Sequence, residues 1–308
     1  MSRVVRLERR PQIITVAAGN AAFLAEHQLS PGSQRVYAGT LRLLQDQLGP
    51  ETSLTVLDKT PTADQLVGWF HERYDHTAPA TRVRQLAILR SVCAFWRQRA
   101  WLATDPTAGL ERPTVPLDRT KALTREQLAS LWHRQEVALR ERALWRLLYE
   151  TAARANEILS LDIDDLDLPN KRARVRSKGG HTEWVFWPTG AALLLPRLLV
   201  GRTIGPVFLA DRQPTRAVPT VDRCPLTGRA RLSYRRAAEL FKDATGGWTL
   251  HQLRHSALTH AAEDGTNTPI LLARSRHASV RSLERYARPG AEAVARHLAQ
   301  QDPARRRR

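Results

Sequence analysis

A break containing two prolines near residue 115 divides this chain into two parts with different sequence patterns. Residues 111–119 read ERPTVPLDR, and a helix does not run through two prolines, because each lacks an N–H donor and clashes with the preceding turn. The full length of 308 residues also suits about two domains. We therefore predict an N-terminal domain with a basic arm over residues 1–112, a linker over 113–120, a second domain over 121–301 and a basic tail over 302–308.

The first part carries four amphipathic helical patterns. Apolar residues recur every three or four positions in four segments. The first is residues 17–27, the second runs from a cap at residues 30–33 to Gly49, the third follows a cap at Thr62, and the fourth is residues 80–101. These patterns predict a small all-helical domain of four helices.

The second part mixes helices with one pair of strands. Thr124 and Gln127 have the spacing of a capping box. The patterns that follow predict, in chain order, a helix over about residues 141–151, a strand over 171–177, a turn over 178–180, a return strand over 183–187 and helices over 248–265, 269–274 and 279–288. The whole chain is therefore predicted to be mainly α with a small antiparallel β-sheet, and its second domain to be mixed α/β.

The charge balance is strongly basic and uneven. The sequence holds 48 Lys and Arg against 30 Asp and Glu, a net charge of +18. Residues 1–118 hold 14 basic and 11 acidic side chains, whereas residues 119–308 hold 34 and 19. Arginine, whose forked guanidinium bonds two phosphate oxygens at once, dominates the basic residues, although the codon usage of a GC-rich genome explains that excess equally well. The charge favours nucleic acid as a partner, and by itself it also fits a ribosomal or membrane-surface protein.

Several protein classes are excluded by what the sequence lacks. Two cysteines, Cys93 and Cys224, are too few for a disulfide framework or a four-thiolate zinc site. The basic N-terminus has no apolar run behind it, and residues 191–200 are too short to span a bilayer. No glycine-rich phosphate loop or metal-ligand cluster occurs. We predict a cytoplasmic protein without metal, cofactor or membrane partner.

Residues 251–255, which read HQLRH, form a pattern that suggests chemistry. On the predicted helix, His251 and Arg254 are neighbours on one face, beside an apolar stripe. By itself this pattern also fits a solvated basic face.

Four residues in the flanking sequence complete a larger pattern. Arg154 and Lys178 lie upstream, the lysine at the predicted hairpin tip, and His277 and Tyr286 lie downstream. Each has a structural alternative: an ion pair with a nearby glutamate for Arg154, an exposed turn for Lys178, a helix cap for His277 and a core position for Tyr286. Six such residues in one order are harder to explain in this way than any single one.

Together these six residues resemble the tyrosine recombinases, also called the phage integrase family. That family's signature is an Arg in a context like Leu-x-x-Thr-Gly-x-Arg-x-x-Glu, a β-hairpin Lys, a His-x-x-Arg motif, a His or Trp, and a Tyr. The resemblance spans roughly residues 15–300, because the family places a four-helix, SAM-like core-binding domain before its catalytic domain. It implies two domains that close as a clamp on duplex DNA.

The resemblance implies a site-specific recombinase that cleaves and rejoins DNA through a covalent 3′-phosphotyrosyl intermediate, without metal or ATP. Phosphodiester cleavage without a metal needs a nucleophile, positive charge on the non-bridging oxygens and a proton for the leaving 5′-oxygen. The implied roles are Tyr286 as nucleophile, Arg154 and Arg254 as the clamp on those oxygens, Lys178 as general acid, and His251 and His277 as phosphate donors. Glu157 is expected to orient an arginine.

The resemblance also implies how the enzyme assembles. Four protomers would act on two double-stranded DNA sites, each protein being a monomer or weak oligomer when free. The resemblance also implies accessory partner proteins that bend DNA or set the direction of recombination.

Two positions depart from the family pattern. Ala152 and Arg276 stand where the family usually has glycine, and the bulky Arg276 is expected either to move His277 or to add a phosphate contact. Two alternatives stay open: a non-catalytic, sequence-specific DNA-binding protein that retains the fold, and a DNA-relaxing enzyme like the type IB topoisomerases. A ribosomal or chromatin-packaging protein explains the charge but not the ordered set of residues.

Overall fold

The computed structural model describes residues 13–115, 122–176, 180–277, 279–283, 295 and 298–299. The chain divides into two compact units, Met1–Pro116 and Leu117–Arg308. Each unit has a hydrophobic core of its own.

The first unit contains the four predicted helices. In chain order its elements are α1 (Val16–Glu26), α2 (Pro31–Leu48), the 3₁₀ turn Leu54–Asp58, α3 (Thr60–Tyr74) and α4 (Pro79–Gln98). The side chain of Ser30 accepts a hydrogen bond from the Ser33 N–H at the start of α2, as the sequence indicates.

The predicted cap at Thr62 is wrong. Helix α3 begins two residues earlier, at Thr60, with Pro61 in its first turn. Proline suits that position because its fixed φ is already helical and no intrahelical bond needs its missing N–H.

The core of the first unit is formed by large apolar side chains from all four helices. Phe23, Leu44, Phe70 and Trp96 are each at most 1% exposed. Helix α1 comes close to this core through Gly19, where an added Cβ would lie 2.8 Å from both Leu54 Cδ1 and Trp96 Nε1.

Gly19→Ala should destabilise the protein by about 1–3 kcal/mol, because the new methyl group overpacks a core that has no room for it. The matched control is Gly68→Ala on α3, where an added Cβ meets nothing within 4 Å; this variant should gain about 0.5–1 kcal/mol from helix propensity. Urea denaturation measures both. A stabilised Gly19→Ala protein would contradict the close packing.

The second unit wraps helices around a small sheet. Its elements in chain order are α5 (Arg125–His133), α6 (Leu139–Thr151), α7 (Ala155–Leu159), β1 (Leu166–Asp167), β2 (Arg172–Arg176), β3 (Thr182–Phe186), α8 (Thr189–Leu199), α9 (Tyr234–Thr245), α10 (Leu250–Glu263), α11 (Thr268–Ser275) and α12 (Val280–Leu283). The capping box predicted at Thr124 and Gln127 is present at the start of α5.

The sheet is antiparallel in the order β1-β2-β3, and the predicted strand pair forms its larger part. Ala173 pairs with Val185, and Val175 pairs with Glu183. Ala173, Val175 and Val185 are buried against the helices, so the alternation along β2 places one face in the core. Strand β1 has two residues, which is too short for alternation to reveal it in the sequence.

Helix α6 packs against α8 and α10 in the core of the second unit. The predicted apolar stripe of α10, represented by Leu250, Leu253 and Ala257, is buried. Trp145 on α6 meets Phe241 on α9 with ring centroids 5.0 Å apart. Within the described part of the chain, no helix is both long and apolar enough to cross a membrane.

Candidate active site

Arg254 is the most buried of the candidate residues that the structure describes. The alternative of a solvated basic face does not apply at this position, since Arg254 is 2% exposed. Its guanidinium donates to the carbonyl oxygen of Ala152 and, at 2.5 Å, to that of Ser275, and Nη2 lies 3.3 Å from Nε2 of His277. One side chain thereby joins the segment just before Arg154 to the segment that carries His277.

Arg154 occupies the N-cap position of α7, a short helix whose third residue is Glu157. The Glu157 carboxylate accepts one hydrogen bond from the Arg154 backbone N–H and another from its guanidinium, each 2.8 Å long. The Arg154 side chain stays 39% exposed, while that of Glu157 is 5% exposed. The expectation that Glu157 orients an arginine therefore agrees with this geometry: the carboxylate holds one side of a guanidinium that still faces solvent.

Arg276 shares the same carboxylate. Its Nη2 donates to Glu157 at 2.5 Å, and its Nε lies 3.6 Å from Oε2 of Glu183 on β3. Its side chain is 4% exposed, so this guanidinium is buried between the buried Glu157 carboxylate and that of Glu183, whose side chain is 40% exposed.

The pKa of Glu157 lies below its ordinary value. Burial raises this pKa, but the charge of Arg276 and the hydrogen bonds from Arg154 lower it by more. Glu157 is therefore an ionised, buried carboxylate at neutral pH, paired with two arginines.

Ala152 and Arg276 both adopt left-handed backbone conformations. Their φ angles are 52° and 53°, at the C-caps of α6 and α11. A residue with a Cβ pays about 1 kcal/mol there relative to glycine. Ala152 and Arg276 thus fill positions whose backbone favours glycine, and the contacts of Arg254 and Arg276 lie at the same two helix ends.

The six candidates are only partly brought together in the described residues. Arg254 contacts His277, and its bond to the Ala152 carbonyl brings it to the segment just before Arg154. His251 is exposed and lies one turn before Arg254 on α10. Lys178 and Tyr286 lie outside the described residues.

Arg274 is a further basic residue of this region that the sequence pattern does not single out. Its Nη2 donates to the Glu150 carbonyl oxygen at 3.0 Å, and burial lowers its pKa. Its position two residues before Arg276 is a signal in the sequence, but that spacing does not distinguish a partly buried arginine from an exposed one. No group of three or more His, Cys, Asp or Glu side chains that could hold a metal ion occurs among the described residues.

Comparison with known proteins identifies the family. Residues 121–292 match the model of the phage integrase family, a span of more than half of the chain. The chain belongs to the phage integrase family. It is accordingly a tyrosine recombinase, one of the enzymes that cleave and rejoin DNA strands.

Related proteins match along most of this integrase-family chain. It is 27% identical over 285 residues to the tyrosine recombinase XerD of Haemophilus influenzae, covering 88% of this chain and 92% of the relative. It is 29% identical over 279 residues to XerC of a Mycobacterium species, strain JLS, covering 85% and 89%.

Solved structures share the fold of this recombinase. The Tn1549 transposon integrase in complex with circular intermediate DNA superposes with a TM-score of 0.64 at 15% identity, covering 92% of this chain and 99% of that one. A lambda integrase dimer bound to a COC′ core site superposes with a TM-score of 0.67 at 15% identity, covering 88% and 93%. The predicted fold class is confirmed.

Glu157→Gln should destabilise the recombinase by about 3 kcal/mol at pH 7, because the buried Arg276 guanidinium loses its hydrogen-bonded carboxylate and keeps only Glu183, 3.6 Å away. A lowered carboxyl pKa contributes stability above the ordinary value of 4.5, and that contribution is lost as the pH falls through the folded-state pKa. The variant should therefore lose less stability than the wild type on acidification below pH 4.5, as measured by urea denaturation across pH.

The matched control is Glu239→Gln. Glu239 pairs with Arg235 on the surface of α9, and its pKa is also lowered, but solvent screens this pair. The control should follow the wild-type pH dependence closely. Equal acid sensitivity in Glu157→Gln and the wild type would show that the buried pair does not supply this stability.

Proposed function

We propose that this recombinase acts on duplex DNA at specific sites and uses Tyr286 to form a covalent 3′-phosphotyrosyl intermediate. The observation that supports this proposal is the position of Arg254, whose guanidinium contacts both the Ala152 carbonyl and His277. Ala152 lies two residues before Arg154, so these contacts support placing Arg154 and His277, which are 123 residues apart in the sequence, in one basic site. A phosphodiester group needs such a cluster of fixed cationic donors around its non-bridging oxygens.

The proposed reaction is a balanced exchange of phosphate esters. The Tyr286 hydroxyl releases its proton to water as its oxygen attacks phosphorus and forms the new P–O bond, while the bond from phosphorus to the 5′-oxygen breaks. Lys178 supplies the proton that the leaving 5′-oxygen takes up. Because one ester replaces another, the reverse reaction by a 5′-hydroxyl rejoins DNA without an energy source. The chemistry of these side chains requires no metal or cofactor.

The two arginines would act from different environments. Arg154 is half in solvent and anchored by Glu157, so it is available to a phosphate oxygen. Arg254 already donates two hydrogen bonds to backbone carbonyls, so it would stabilise the phosphate mainly through its charge and its remaining donors. His251 and His277 would donate to the phosphate from the same side.

We propose that the first unit is the core-binding domain and contacts the DNA backbone. Its helices α2 and α3 border an open groove of about 800 Å³ that is lined by Arg35, Arg42, Arg73 and His76, together with Trp69. Exposed arginines in a concave surface attract phosphate. The solved lambda integrase is bound to DNA, which supports the same partner here.

We also propose the assembly and the domain limits that the family resemblance implies. Residues 1–112 would bind DNA, residues 113–120 would link the domains, residues 121–301 would catalyse the reaction, and residues 302–308 would form a basic tail. Two DNA sites would be held by four protomers in the cytoplasm.

Tyr286→Phe should abolish the covalent protein–DNA adduct and leave DNA affinity within about threefold of the wild type, because most binding energy comes from phosphate contacts. The measurement uses end-labelled duplexes tiled across the DNA that flanks the gene, each nicked so that religation is prevented, and a denaturing gel. Specific binding without an adduct in the wild type would favour the non-catalytic alternative. Recombination by the Phe variant would contradict the nucleophile assignment.

Arg42→Gln should weaken DNA binding and lower the slope of log K against log salt by about 1, because each lost phosphate contact releases about one counterion fewer. The matched control is Arg97→Gln. Arg97 lies on α4, 12 residues or about three turns beyond Gln85, which also lines the groove, so the slope should stay unchanged. Equal slopes for Arg42→Gln and the wild type would exclude the groove from the DNA interface.

A further inference from the structure

We infer that Arg276 is a positioning residue that couples strand β3 to the carboxylate that orients Arg154. The inference rests on the proposed function, because it assigns Arg276 a task in DNA cleavage. It replaces the expectation that Arg276 contacts phosphate.

The geometry of Arg276 excludes a direct role at the phosphate. Its guanidinium donates to Glu157 at 2.5 Å and to the Arg274 carbonyl oxygen at 3.1 Å, and it lies 3.6 Å from the Glu183 carboxylate. Only 4% of the side chain is exposed, so the guanidinium points toward these three partners and away from solvent. Arg276 therefore acts through its neighbours.

The contact with Glu157 fixes the direction of Arg154. A carboxylate has two oxygens, and here Oε1 accepts from Arg154 Nη1 while Oε2 accepts from Arg276 and from the Arg154 backbone. Arg276 thus restrains the rotation of a carboxyl group that holds a half-exposed guanidinium. Without Arg276, the Glu157 carboxyl loses its buried counter-charge, and Arg154 loses a fixed anchor.

The contact with Glu183 extends the same network to the sheet. Glu183 pairs with Val175 across β2 and β3, and β3 begins four residues after Lys178 in the sequence. These contacts therefore form a network that runs from Arg154 through Glu157 and Arg276 to Glu183. The network links the N-terminus of α7 to the two strands that flank Lys178, the proposed general acid, in the sequence. A shift of about 1 Å in a reacting group slows a reaction by up to about 100-fold. Because this network positions side chains that act in cleavage, its loss should lower the cleavage rate more than the affinity for DNA.

The network requires a long cation at a backbone position that costs energy. Arg276 has φ 53°, where glycine would relieve the strain. Replacing Arg276 with glycine therefore removes the side chain without creating a new backbone conflict, and any loss of rate reports on the guanidinium itself.

The first experiment uses the nicked duplex, from the DNA that flanks the gene, that the wild type cleaves. It measures the single-turnover rate at which the covalent adduct forms when protein is saturating. Arg276→Gly should lower this rate by at least about tenfold with DNA affinity within about threefold. Arg276→Lys keeps the charge near Glu157 but cannot span both carboxylates, and Glu183→Gln removes one end of the network. Both should give intermediate rates.

The matched control is Lys171→Gly, because Lys171 has the same φ of 53° at an exposed turn before β2. It should cleave at the wild-type rate. A wild-type rate in Arg276→Gly would overturn the inference while leaving the proposed function intact. An adduct absent from the wild type on every duplex would instead overturn the proposed function.

A second measurement tests the network without DNA. In urea denaturation, the midpoint shift of the double variant Arg276→Gly with Glu183→Gln should be smaller than the sum of the two single shifts, because each single change already breaks the same contact. Additive shifts would overturn the coupling between β3 and Arg276.

Discussion

The buried guanidinium of Arg254 is the interaction on which the site in the second unit depends. It bonds to the backbone carbonyls of Ala152 and Ser275, at the ends of two helices that are far apart in the sequence. A forked, permanently charged group is suited to this task, because it satisfies two acceptors at fixed angles while keeping its charge inside the protein. The segments that follow those two carbonyls carry Arg154 and His277, so the positions of both side chains depend on Arg254.

A second buried group, the Glu157 carboxylate, determines how much positive charge the site can hold. Arg154 and Arg276 both bond to it, and the attraction outweighs the cost of burying the carboxylate, so that its pKa is lowered. Arginines that crowd together without such an anion would repel one another and move apart. The site thus combines buried, compensated cations with a partly exposed one at Arg154, which suits an anionic substrate.

The left-handed turns at Ala152 and Arg276 connect backbone geometry to this arrangement. Each ends a helix at a point where a guanidinium meets a carbonyl or carboxylate, and each costs energy because its residue is not glycine. At Arg276, the side chain forms the ion pairs that offset this cost. At Ala152, the small side chain is fully buried, so packing contributes there.

The order of helices and strands was predictable from the sequence because it depends on local periodicity and caps. The four helices of the first unit, the capping box at Thr124 and the strand pair all follow from patterns within a few residues. The errors are local too. Thr62 has a side chain that suits a cap, but α3 already begins at Thr60 with Pro61 in its first turn. Strand β1 is too short to show a pattern.

The fold class, the six-residue pattern and the family follow from the sequence alone, because spacing and residue type are sufficient for those. The three-dimensional packing is needed to establish that Arg254 is buried rather than solvated, that Arg274 is partly buried and that Arg276 faces Glu157 and Glu183. Helical spacing places a side chain on one face of its helix, but it does not say what that face packs against. The contacts of Arg254 and Arg276 join residues up to 119 positions apart, and no local pattern contains them.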